Sequence, residues 1–165
     1  MKKNNPVHTT TQGLSGSLIP GKELKIFIVD DDPFFLKLIT AYLSKYTDFT
    51  IYEFANYTDC LNSKVKPDVA ILDYYISTDN EDHTNGVQVL TKLKEKYPSV
   101  IGFILSGKAG LPSENEVLKG LLEKNLSAMR QKFKEGSYFY FFKNKAACEE
   151  IFDILSHLSW KASGE

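Results

Sequence analysis

Four places in this 165-residue chain carry side chains suited to chemistry at phosphorus, and each follows a short apolar run. Asp30, Asp31 and Asp32 follow Leu24–Val29, and Asp73 follows Val69–Leu72. Ser106 follows Val100–Leu105, and Lys143 follows Tyr138–Phe142. Any one of these alone is ordinary loop chemistry; the ordered set is the signal. Clustered carboxylates repel one another unless a cation lies between them. Hard oxygen donors with no His or Cys among them suit Mg²⁺, or Mn²⁺. A carboxylate held beside such an ion is a competent nucleophile toward phosphorus. A metal and a lysine together neutralise the oxygens of a transferred phosphoryl group. A serine hydroxyl can hydrogen-bond the acyl phosphate that results.

These residues need a scaffold that gathers strand ends. The apolar runs 24–29, 49–54, 69–72, 100–105 and 138–142 read as strands, short and strongly apolar in four of the five, as in a parallel sheet covered on both faces. Helical periodicity fills the gaps. Phe35, Leu38, Ile39 and Tyr42 recur at helical spacing after Asp32-Pro33, an N-cap followed by proline at the first helical position. A short helix over 57–62 follows Asn56, and 87–96 forms a helix that stops before Pro98. Ser113-Glu114-Asn115-Glu116 reads as a capping box opening a long helical stretch to Lys134, which Gly120 and Asn125 weaken. Asn144 caps a last helix to about Leu158. Right-handed crossovers then predict an α/β, open, doubly wound, five-stranded parallel sheet with helices on both faces. Ligands in such sheets bind at the carboxyl ends of the strands, where the reactive residues stand.

Composition narrows the function. Lys and Arg total 20, Asp and Glu total 21, and the net charge is −1. With 42% hydrophobic residues the chain has an ordinary core and is not of the disordered class. A mainly electrostatic nucleic-acid binder needs a basic excess, and Arg130 is the sole arginine, so no nucleic-acid partner is expected. Cys60 and Cys148 lack metal or disulfide spacing and read as buried thiols in a reducing compartment. No apolar run is long enough to span a membrane, and Met1-Lys2-Lys3 lacks a following apolar segment, so a cytoplasmic location is expected. Residues 1–21 read as a flexible tail, 22–160 as one domain and 161–165 as a short tail.

The segments IFIVDDDP (26–33), PDVAILDYY (67–75), NGVQVLTKLKEKYP (85–98), IGFILSG (101–107) and EGSYFYFFKN (135–144) resemble the response-regulator receiver domain of two-component signalling. The resemblance implies a flavodoxin-like sheet with strand order 2-1-3-4-5, for which a chemotaxis receiver is itself a standard example. It makes Asp73 the phosphoacceptor. Asp30, Asp31 and Asp73, with the backbone carbonyl of Tyr75, become the metal ligands, and Ser106, Lys143 and the aromatic Tyr140 become the phosphoryl-binding and switch residues. Tyr75 and Lys108 would flank the path of hydrolytic water and modulate dephosphorylation. The implied partners are a sensor histidine kinase or histidine phosphotransfer protein and a downstream protein. The latter would dock on the face built from the helix after Ser106, the strand before Lys143 and the helix after it. A phosphorylation-dependent homodimer is compatible with this. The chain would catalyse its own phosphorylation and dephosphorylation as a stand-alone signalling module rather than turn over a substrate.

Four departures from the family pattern stand out. No proline follows Asp73, and the loop 76–83 is long and acidic; its spacing is not that of an EF-hand, and it reads as solvated, with His83 on the surface. Asn144 replaces the proline that usually follows the lysine, so a trans peptide is expected there. The stretch between Ser106 and Lys143 exceeds that of ordinary receivers by about four helical turns, which predicts an extended fourth helix. Two other readings fit parts of the pattern. One is a pseudo-receiver that binds partners without phosphorylation; the other is a phosphatase like the haloacid dehalogenases, using Asp30 and Asp32, which leaves Asp73 without a role. Capping is the expected role of Asp32.

Overall fold

The computed structural model describes residues 23–46, 48–76, 84–107 and 113–163, with side chains to residue 160. Five parallel strands form one sheet in the order β2-β1-β3-β4-β5: β1 (Leu24–Val29), β2 (Phe49–Phe54), β3 (Val69–Asp73), β4 (Ile101–Ser106) and β5 (Phe139–Phe142). Register pairs Ile26 with Ile51 and Val69, Ile71 with Phe103, and Phe103 with Phe139. The sequence places all five strands to within a residue or so. Both Asp73 and Ser106 are the last residues of their strands, not the first of the following loops.

Between the strands lie α1 (Pro33–Leu43), α2 (Tyr57–Leu61), α3 (Gly86–Lys96), α4 (Asn115–Lys124), α5 (Leu126–Lys134) and α6 (Lys145–Ser163). Local chemistry sets their starts. Asp32 Oδ1 accepts from Phe34 N at 2.9 Å ahead of Pro33, and Asn56 Oδ1 accepts from Asp59 N at 2.8 Å. Asn85 and Gln88 form a reciprocal capping box on α3, satisfying two otherwise orphaned donors. Asn144 Oδ1 accepts from Ala147 N at 2.9 Å as α6 begins. That last helix continues past the expected end at Leu158 to Ser163.

The sheet carries an apolar layer on each face. Ile26, Ile28, Ile71, Phe103, Phe139 and Phe141 point to the face covered by α1 and α6. Phe27, Val29, Ala70, Leu72, Ile104 and Tyr140 point to the face of α2 and α3. The strand alternation of side chains produces this division. On the second face Gly102 admits α3: a Cβ there would stand 2.3 Å from Leu90 Cδ2.

The segment between β4 and β5 differs from expectation in three ways. The single extended helix is two helices, broken at Asn125, whose backbone leaves the helical region (φ −149°, ψ 83°) while its side chain caps α5 through Ala128 N at 3.0 Å. Gly120, the other suspected weak point, stays inside α4. The capping box at Ser113 does not form. Ser113 Oγ accepts from Asn115 N at 3.2 Å, Glu114 holds the N-cap position without a side-chain cap bond, and Asn115 is drawn into contacts with β5. Finally, Leu118, Leu122, Leu126, Met129 and Phe133 pack on the α1/α6 face, against Phe103, Phe139 and Phe141. The steps β3 to β4 and β4 to β5 move across the sheet in one direction, but α3 and the α4–α5 pair lie on opposite faces. The two crossovers therefore have opposite hand, against the uniform right-handedness that parallel sheets favour. The wall of stacked phenylalanines gives the apolar stripe of α4–α5 its docking surface, Phe103 and Phe139 lying with ring centres 4.9 Å apart.

α5 ends on Gly136 with φ 107°, a left-handed cap in which Ser137 N bonds to Lys132 O at 3.0 Å, the Schellman arrangement. Lys94 of α3 donates its ammonium to Phe133 O and Ser137 O. A cation on the last carbonyls of a helix answers both their lost partners and the helix dipole. Burial lowers the Lys94 ammonium to about 8.

Candidate functional site

The carboxyl ends of β1, β3, β4 and β5 bring the acids, the hydroxyl and the ammonium to one pole. Asp30, Asp31 and Asp73 each offer a carboxylate oxygen, and these oxygens all lie within 4.8 Å of one another. Asp30 and Asp73 are 1% and 6% exposed. Asp30 Oδ1 accepts from Asp32 N at 2.8 Å. Its Oδ2 stands 2.6 Å from Lys143 Nζ but has no hydrogen bond of good angle. Lys143 also reaches Asp73 Oδ2 at 3.3 Å, and its ammonium lies 4.8 Å above the Phe35 ring. Tyr75 N donates to Asp73 Oδ1 at 3.3 Å.

The electrostatics follow from this crowding. Burial, and then the Asp30 charge, push the Asp73 carboxyl up from 3.8 to about 6. Burial raises Asp30 as well, against the pull of Lys143. Burial disfavours the Lys143 ammonium, but Asp30 and Asp73 outweigh it and the group is held above its ordinary value. Among the described residues Lys143 bridges Asp30 and Asp73, and a divalent ion would relieve the repulsion among the three clustered carboxylates. The all-oxygen donor set, in which the buried Asp30 Oδ2 has an ion pair but no well-angled hydrogen bond, fits Mg²⁺.

Several residues that position the site carry no obvious sequence signal. Tyr57 on α2 donates its hydroxyl to Asp73 O at 2.5 Å, fixing the strand end from below. Gly86 lies so close that a Cβ would stand 2.7 Å from Asp73 O. Only the Asn85-Gly86 pair, read as the end of a loop, hinted at this approach. Ser106 is buried at 6% exposure, and its carbonyl accepts from Lys143 N at 2.8 Å. Tyr140 is buried in the apolar layer on the α2/α3 face, three residues before Lys143 and paired in register with Ile104. Asp32 caps α1, as expected. Tyr75 is 66% exposed at the mouth of the pocket. Lys108 and the loop 77–83, His83 included, lie outside the described residues, as does residues 1–21, the expected tail. Among the described residues no peptide is cis, so Lys143–Asn144 is trans.

With this geometry in view, the sequence profile of the response regulator receiver domain matches residues 26–128. The chain belongs to the response regulator receiver family. Solved structures agree on the fold. The beryllofluoride-activated receiver domain of DrrB is 22% identical with a TM-score of 0.52, covering 81% of this chain and 97% of that one. The signal receiver domain of an HD domain-containing protein from Pseudomonas fluorescens is 17% identical with a TM-score of 0.57, covering 87% and 98%. RcsB from Salmonella typhimurium is 18% identical with a TM-score of 0.57, covering 83% of this chain and 60% of that one. At these identities the likeness speaks for the fold. No curated protein sequence matches the chain. Among the described residues no helix is long and apolar enough to cross a membrane.

A cavity of about 560 Å³ lies at the opposite pole, lined by Lys66, Lys96, Arg130, Lys134 and Asp68 among others. Lys96 and Lys134 stand in the last turns of α3 and α5, where helix dipoles favour cations. The dipoles account for the placing of Lys96 and Lys134.

Proposed function

We propose that this receiver accepts a phosphoryl group on Asp73 from a sensor histidine kinase or a histidine phosphotransfer protein, with Mg²⁺ bound by Asp30, Asp31, Asp73 and the Tyr75 carbonyl. The carrying observation is the cluster of three carboxylates with one lysine bridging two of them. When bound, the ion draws charge from the phosphoryl oxygens and offsets the repulsion among the acids.

The chain's own groups account for the rest. An Asp73 carboxylate oxygen attacks phosphorus while the bond from phosphorus to the donor imidazole breaks. Tyr75 N–H and Lys143 hold the attacking carboxylate in place. As the phosphoryl group arrives, Lys143 exchanges its contact with Asp73 for a phosphoryl oxygen, and Asp30 keeps the ammonium charged. The Ser106 hydroxyl takes another phosphoryl oxygen. Tyr140 follows Ser106 inward, and β5 with its flanking helices presents an altered face to a protein partner. This is a two-state equilibrium biased by a charged group. Asp32 is engaged at the start of α1, so the dehalogenase-type pair of acids gains no support.

The test is acetyl phosphate with Mg²⁺, read by intact mass. Wild type gains one phosphoryl group and Asp73→Asn gains none. Addition that persists in Asp73→Asn, or no addition to wild type, rejects the reading; the second outcome favours a pseudo-receiver.

A further inference from the structure

Resting on the receiver reading, we infer that Asn115 is a positioning residue that couples the switch strand β5 to the α4–α5 pair. β5 is an edge strand. At Tyr140 both backbone groups bond to one side chain instead of to a further strand. Tyr140 N–H donates to Asn115 Oδ1 at 2.9 Å, and Asn115 Nδ2 donates to Tyr140 O at 2.7 Å. A carboxamide offers a donor and an acceptor side by side, so it can take the place of a neighbouring strand's peptide group. Ala or Leu can make neither bond, and Asp or Ser cannot reproduce both in this geometry.

The position of this clamp gives it its role. Tyr140 is the residue expected to move with Ser106, and three residues later Lys143 bridges Asp30 and Asp73. Asn115 is the first residue of α4. Lys119, one turn on, pairs with Glu150 of α6 at 2.8 Å, and Glu114 accepts from Ser137 Oγ at 3.1 Å just before β5. A backbone shift of β5 toward a phosphoryl group therefore pulls directly on the start of α4. Among the described residues this clamp is a direct polar link between β5 and the first residue of α4. Asn115 acts through Tyr140 and touches no reacting atom.

The test uses the full chain with Mg²⁺ and beryllofluoride, read by amide NMR, with urea stability measured alongside. In wild type, amides of Asp73, Ser106, β5 and residues 115–134 shift. In Asn115→Ala the pocket and β5 amides still shift, while the response of 115–134 collapses to background. Asn115→Asp, which keeps the acceptor for Tyr140 N–H and loses the donor, shows the same loss and serves if the alanine variant folds poorly. The control Gln131→Ala removes an exposed contact on α5 with Glu135 and keeps the full response. A purely structural Asn115 would lower stability and leave the 115–134 response intact, and that result overturns the inference. So does a wild type whose pocket responds while 115–134 does not, or a Gln131→Ala that loses the response too. A wild-type pocket that ignores beryllofluoride overturns the receiver reading, and it is recognised separately because it is read at Asp73.

Discussion

The acidic pole and the α4–α5 pair are held by opposite kinds of force. At the pole, Asp30, Asp31 and Asp73 are crowded together with Lys143, and the Asp73 backbone is held by the Tyr57 hydroxyl and the ladder of β3, with Gly86 close against it. The carboxylates there repel one another, and the scaffold and the Lys143 bridge keep them close. In the α4–α5 pair the side chains attract. Leu118, Leu122, Leu126, Met129 and Phe133 are buried against the phenylalanines of β4 and β5, while polar clamps at Asn115 and Lys94 fix the ends. The pole is thus a site of stored charge repulsion that a cation or phosphoryl group can relieve. The helical pair is a packed body, and the proposed Asn115 clamp would let it respond as a unit. A switch needs both, a place where charge changes the energy and a body stable enough to report the change.

The largest effect should come from breaking the packed body. Phe133→Ala removes a fully buried ring and should cost about 3–5 kcal/mol in urea unfolding, leaving the acids in place. A cost under about 1 kcal/mol would mean α5 is not part of the core. Next, Gly86→Ala sets a methyl against Asp73 O and should cost roughly 1–3 kcal/mol. Because the clash is at the pocket, it should also weaken Mg²⁺ binding, which Phe133→Ala should not do.

The pH dependence sharpens the contrast. The Asp73 carboxyl sits at about 6 in the folded chain against an ordinary 3.8, so the folded state binds its proton more tightly than the unfolded state. Its contribution to stability is complete below about pH 3.8 and is lost as pH rises through about 6. Without divalent ions, wild type should lose stability over that window, and Asp73→Asn should be flatter and equal or more stable at neutral pH. A mutant less stable at neutral pH would show that the Lys143 contact outweighs the repulsion. Mg²⁺ competes with that proton, so its affinity measured by calorimetry should fall as pH drops through about 6.

The smallest effect concerns the pocket mouth. Tyr75 is exposed there, and if its ring shields an acyl phosphate, Tyr75→Ala should shorten the lifetime of phospho-Asp73 in a decay assay. An equal or longer lifetime removes Tyr75 from the account.

Much of this molecule is written locally. A polar residue at the end of an apolar run must emerge at the strand's carboxyl end, so Asp30, Asp73, Ser106 and Lys143 were readable from sequence. Asp32 and Asn56 declare helix starts in the same way. What was not readable depends on distant partners. The Ser113 capping box is a good local motif that lost to the contacts of Asn115 with β5. The apolar stripe 118–133 announces a helix, but period alone does not say which face of the sheet it will cover, nor that Asn125 will cap a second helix. Tyr57 and Gly86 are ordinary residues until the fold brings Asp73 O beside them.

The central claim is that Asp73, and no other acid in the cluster, forms the acyl phosphate. Incubating the chain with acetyl phosphate and Mg²⁺, then reducing with borohydride, converts a phosphoaspartate to homoserine, which peptide mass spectrometry locates. The account predicts homoserine at position 73 alone, and none when Mg²⁺ is chelated. Homoserine at position 30 or 31, or labelling that ignores the metal, would contradict it.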